Sequence, residues 1–73
     1  MLQRFTAIIE REGDLFVARC PELDIASQGA SVGEARANLA EALSLDFETA
    51  PPEEISRRLS SEIYVTQVEV AVG

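Results

Sequence analysis

The side chains here whose types could do chemistry are one cysteine, a few serines and scattered carboxylates. Cys20 is the only cysteine, and the chain holds no histidine. A nucleophilic thiolate is normally activated by a neighbouring base, and imidazole is missing. Cys20 therefore reads as a small buried apolar residue. Ser27 and Ser31 lack a base for the same reason, and Ser31 has a structural explanation below. One cysteine without histidine excludes zinc ligation of ordinary spacing. Glu10 and Asp24 come nearest to a carboxylate pair for metal-assisted phosphodiester cleavage. That chemistry needs several carboxylates converging on ions about 4 Å apart, and no such set is spaced along this chain. Solvated surface acids are the simpler reading. Gly29 and Gly33 are isolated, so no glycine-rich loop cradles a phosphate. These residues predict a protein without catalytic centre, metal or cofactor.

Charge directs attention to a partner instead. The 73 residues include 13 acidic and 6 basic side chains, all arginine, for a formal charge of −7. Nucleic-acid affinity depends on cationic side chains, so direct binding of DNA or RNA is not expected. Acidity aids solubility, and it also steers a basic partner into contact. The length allows a single domain, residues 1–73. A core this small gains from oligomerisation, because one cysteine cannot form a disulfide within the chain. Met1 is followed closely by Gln3 and Arg4, unlike a secretory leader. No stretch approaches membrane-spanning length, and a soluble cytoplasmic protein is expected.

The element that must position everything else is a helix after residue 30. Ser31 suits the N-cap and Glu34, three residues on, can reach back to the Ser31 amide, the spacing of a capping box. Val32, Ala35, Leu39, Ala42, Leu43 and Phe47 fall on one side of a helix. Pro51 and Pro52 end it. Asp46 falls on the same side, which predicts that the last turn overhangs its support.

Strands flank this helix. Residues 2–11 form the first strand, with Phe5, Ala7 and Ile9 alternating against Arg4, Thr6, Ile8 and Glu10. Glu12-Gly13-Asp14 makes a tight turn. Residues 15–20 form the second strand, carrying Phe16, Ala18 and Cys20 on one face and Leu15 and Val17 on the other. Pro21 breaks the ladder, and residues 24–29 form a weakly patterned edge strand. After the helix, residues 51–61 give a short helical turn with Ile55 and Leu59 inward and Arg57 and Arg58 on a solvated face. Residues 62–72 are the last strand, rich in β-branched side chains.

Three strands, a helix and a strand make an α+β pattern. A right-handed crossover returns the last strand parallel to the first, beside either the first strand or the third. Phe5, Ile9, Phe16 and Val68 are expected to meet the helix. Ile8, Leu15, Val17 and Val65 face away, and such an exposed apolar set predicts a homo-oligomer, dimer or tetramer, that uses this face or the edge of the last strand. The competing expectation is that the short second helix folds over that set.

With these residues placed, the chain resembles the HicB-like antitoxin family, in particular its N-terminal domain. The resemblance rests on residues 5–31, FTAIIEREGDLFVARCPELDIASQGAS, and residues 32–43, VGEARANLAEAL. Phe16, Pro21, Leu23, Gln28, Gly29, Glu34, Ala35, Asn38 and Leu43 stand where the family pattern has such residues. It implies a partial ribonuclease-H-like βββαβ fold with the last strand beside the first, order 3-2-1-4. It also implies the function: binding a small basic HicA-like toxin that cleaves messenger RNA, and blocking its active site. Many members carry a C-terminal DNA-binding domain. Nothing after residue 72 resembles one, so autorepression is not expected of this stretch. The toxin contact is assigned to the Pro21-Glu22-Leu23-Asp24 loop with Glu10 and Asp14 as acidic rim, because a basic partner with an apolar contact needs both characters. The alternative function is an orphan homo-oligomeric regulatory module with no toxin.

Overall fold

The β-strands form because short apolar runs are punctuated by a glycine turn and a proline. The structure, a computed structural model, describes residues 2–60 and 62–73. Strands β1 (Ile8–Glu12), β2 (Leu15–Cys20) and β3 (Ile25–Gly29) precede helices α1 (Val32–Thr49) and α2 (Pro52–Leu59). The strands make an antiparallel meander in the order β1-β2-β3. The architecture is α+β: a three-stranded antiparallel sheet with one main helix and a short one.

Gly13 and Asp14 alone join β1 to β2, and Glu12 pairs with Leu15 across them. Gly13 takes φ 63° and Asp14 stays at negative φ. That is the pattern of a type II′ hairpin turn, whose first central position favours glycine and whose twist matches the strands.

The register sorts the side chains. Ile9 pairs with Ala18, Phe16 with Gly29 and Cys20 with Ile25, so these residues share one face. Helix α1 lies on that face. Ala18, Cys20, Leu23, Ala35 and Leu39 are buried between sheet and helix, and Phe5, Ile9, Phe16, Ile25, Leu43 and Phe47 pack around them. The helix comes very close where β3 ends. A Cβ added at Gly29 would stand 2.6 Å from the Ala35 amide nitrogen.

The helix start follows the expected cap with one change. The Ser31 hydroxyl accepts from the Glu34 amide at 3.1 Å, but the Glu34 carboxylate accepts from the Ala30 amide at 3.3 Å, not from Ser31. Val32 is half exposed. It is the first helical residue, and helical side chains lean toward the N-terminus, so this one overhangs the end. The Asn38 amide donates to the Gln28 carbonyl at 2.8 Å and ties α1 to β3.

Asp46 finds a partner where the sequence predicts only an overhang. α1 continues through Thr49, and Arg58 of α2 bridges Asp46 at 2.6 Å and Glu54 at 2.8 Å. Arg58 therefore fastens α2 to α1 and does not belong to a solvated face.

Two further expectations are corrected. Residues 2–7 are not part of the first strand. β2 ends at Cys20, one residue beyond Arg19, which stands opposite Ile8, so residues 2–6 run past its end and have no neighbour to pair with. Phe5 instead stacks on Phe47, with ring centroids 5.5 Å apart. Residues 62–72, expected as a fourth strand, are not paired within this chain; 62–73 lie outside the three-stranded sheet and are exposed throughout. Val68, expected against the helix, is 82% exposed. The alternation that makes this segment a competent strand does not by itself supply an edge to pair with. The radius of gyration is 14.4 Å and the longest extent 50 Å, against about 11 Å for the radius of a compact chain of this length. Residues 62–73 form an arm beside a small body.

Candidate functional site

The loop after β2 was the first candidate, and its residues divide. Leu23 is only 5% exposed and belongs to the core. The Glu22 carboxylate faces inward to Thr6, whose amide donates at 2.9 and 3.1 Å and whose hydroxyl donates at 2.8 Å. These bonds hold residues 2–7, which have no strand partner, against the β2–β3 connection. Partial burial works to raise the Glu22 pKa. Hydrogen bonds from the Thr6 hydroxyl, its own amide, the Thr6 amide and the Cys20 thiol outweigh it, and the net direction is downward. Pro21 is half-buried and Asp24 exposed. Asp24 sits at φ 55°, a left-handed conformation that aspartate tolerates better than most residues. Leu23 is thus a core residue, and the part-buried Glu22 spends its carboxylate on Thr6. The sequence reads them as surface because their burial depends on α1 and residues 2–7, which are distant in sequence.

Cys20 is buried, and its thiol donates to Glu22 Oε1 at 3.5 Å. Burial, with the nearby Glu22 carboxylate adding to it, pushes the thiol pKa up. It is a packed thiol without thiolate character at neutral pH.

The opposite face of the sheet carries Ile8, Glu10 and Glu12 from β1, Leu15, Val17 and Arg19 from β2, and Ala26 and Gln28 from β3. Neither helix lies on it. α2 is tied to α1 by the Arg58–Asp46 pair and turns Ile55 and Leu59 toward residues 2–7 across a groove, so the second helix does not cover the apolar set. Of that set, Ile8, Leu15 and Val17 sit together here, whereas Val65 belongs to the arm. Glu10 and Asp14 are exposed, Glu10 on this face and Asp14 in the adjoining turn. With Glu12, which pattern reading left out, they give the hairpin an acidic margin beside an apolar strip. Glu12 and Arg19 approach only to 3.9 Å with both side chains more than half exposed, so their pairing contributes little. The signal for Glu12 was its alternation in step with Glu10.

A second concavity lies on the other side. α1 packs mainly over β3 and β2 and only lightly on β1. An open groove of about 950 Å³ remains between residues 2–7, α1 and α2. Phe5, Leu39, Leu43, Phe47, Ile55 and Leu59 give it an apolar floor, with Arg4 and Arg36 at its margins.

Among the described residues, no group of three or more histidine, cysteine, aspartate or glutamate side chains is placed to hold a metal ion. No helix of the described residues is long and apolar enough to cross a membrane. No family model, no curated protein and no solved structure matches the chain.

Proposed function

We propose that this chain is a HicB-like antitoxin-type protein that binds a small basic HicA-like toxin and blocks its messenger-RNA-cleaving site. The observation that carries the reading is the uncovered sheet face, where Ile8, Leu15 and Val17 adjoin the acidic Glu10, Glu12 and Asp14. An apolar contact bordered by opposite charge is what a basic protein partner requires. The net charge of −7 and the absence of lysine favour such a partner over nucleic acid. In this reading the protein is a binding module and not an enzyme, works in the cytoplasm where messenger RNA is found, and uses no cofactor. The partial ribonuclease-H-like fold belongs to the same proposal, with residues 62–72 as a fourth strand parallel to β1, order 3-2-1-4.

The test is RNA cleavage by a HicA-like toxin, with and without the chain added. Inhibition at near-equimolar amounts is expected. Glu10→Lys with Glu12→Lys should weaken it at least about tenfold, since charged contacts at a matched interface are worth upwards of 1 kcal/mol each. Undiminished inhibition by that variant would move the contact elsewhere, and no inhibition by the native chain would remove the reading. The second reading, an orphan homo-oligomeric module, draws on the same apolar strip. Copurification of the native chain with itself alone would favour it.

A further inference from the structure

The groove and the arm match each other in shape and in charge. Two of the six arginines line the groove, and none of the acidic residues does. In a chain with 13 acids and a net charge of −7, that makes it a locally basic apolar trough. The arm has the opposite character. Residues 62–72 alternate β-branched and aromatic side chains, carry Glu62 and Glu69, and hold no basic residue. Its apolar side chains are exposed, from Ile63 at 39% and Val65 at 59% to Val72 at 93%.

The groove also borders backbone that lies outside the strand ladders, where only the Thr6 amide is tied down, to Glu22. Residues 2–7 pair with no strand, and β1 is an edge of the sheet. At about 3.3 Å per residue, residues 62–72 span roughly 36 Å, enough to run along the whole of residues 2–12. A strand laid there would pair with those residues and place one side of its alternation on Phe5, Leu39, Leu43 and Phe47.

We propose that the occupant is the arm of a second copy: residues 62–72 of each chain leave their own body and complete the sheet of the other, beside β1 and over the groove. The arm stands outside its own body, as the 50 Å extent records, so what it fits is open to another chain. Reciprocal exchange closes on itself as a two-fold dimer and leaves no free arm. The proposal rests on the placement of the fourth strand beside β1, and it is independent of the toxin. It leaves the acidic sheet face on each copy uncovered.

The test is a charge exchange read by light scattering on a sizing column. One variant carries Arg4→Glu with Arg36→Glu, the other Glu62→Arg with Glu69→Arg. All four positions are exposed, and unchanged circular dichroism checks that each variant folds. The native chain is expected as a dimer. Each variant alone sets like charges against each other and should dissociate at least about tenfold more readily. Mixed together, the two restore opposite charges at both contacts, so a mass of two chains should return. A monomeric native chain, dimers that persist in both variants, or a mixture that stays monomeric would each overturn the exchange. A monomer with residues 62–72 protected from amide exchange would overturn it while leaving the fourth strand in place, closed within one chain.

Discussion

At the scale of single residues, the tightest constraint is Gly29. The Ala35 amide nitrogen lies only 2.6 Å from where its Cβ would be, and backbone cannot yield as a flexible side chain can. Gly29→Ala should destabilise the fold by about 1–3 kcal/mol, the usual cost of overpacking, as a lower urea midpoint with an unchanged slope. Glu22 offers a prediction in pH. Its folded pKa is lowered by bonds to the charged carboxylate, chiefly from the Thr6 hydroxyl. Its contribution is therefore fully present above the ordinary glutamate pKa, about 4.3, and is lost as pH falls through the lower folded value. Glu22→Gln should be less stable at pH 7 by roughly 1 kcal/mol, and the gap should close in acid. Thermal melts across that range check both the sign and the window. The same residue shows where pattern reading stops. An acid beside a leucine in a proline loop looks like surface, and only the arrival of Thr6 and α1 turns Glu22 and Leu23 inward.

At the scale of elements, legibility follows locality. Ser31, Glu34 and the apolar stripe from Ala35 to Phe47 define α1 because cap and stripe are local matters. The hairpin was equally plain, since Gly13 decides it within two residues. The start of β1 was not, because a strand extends only as far as its neighbour, and β2 stops at Cys20. The link between α1 and α2 was missed for a similar reason. Asp46 and Arg58 are 12 positions apart, and only the turn through Pro51 and Pro52 brings them to 2.6 Å. That pair is about a third exposed, so it contributes no more than about 1 kcal/mol. Arg58→Ala should cost global stability little but release α2, seen as faster protease cleavage within residues 50–60 and a small loss of helical dichroism.

At the scale of the whole molecule, two surfaces of opposite character lie on opposite sides of the sheet. The acidic margin of Glu10, Glu12 and Asp14 edges the uncovered face, and the basic groove lies on the side of α1. The toxin contact proposed for the uncovered face should therefore weaken as salt rises, mainly through slower association, because steering between exposed charges is screened within about 8 Å at physiological ionic strength. The composition anticipates the sign of the proposed partner. It does not anticipate the groove, because Arg4 and Arg36 are far apart in sequence and meet only across α1 and the segment before β1. Residues 62–72 are strand-like by every local measure, but pairing also needs an edge, which local pattern does not describe.

Tyr64 is the sole tyrosine, and tryptophan is absent. The ring stands on the arm, its hydroxyl donating to Glu62 at 3.2 Å. Nearly all the ultraviolet emission of this protein therefore comes from one spot on its periphery, and the packed body, whose only aromatic side chains are phenylalanines, adds almost nothing to it. Denaturation followed by fluorescence reports what happens around the ring, and denaturation followed in the far ultraviolet reports the helices and sheet. Midpoints that separate mean that the ring's surroundings change before the body melts. Midpoints that coincide mean that the ring is held by whatever holds the rest.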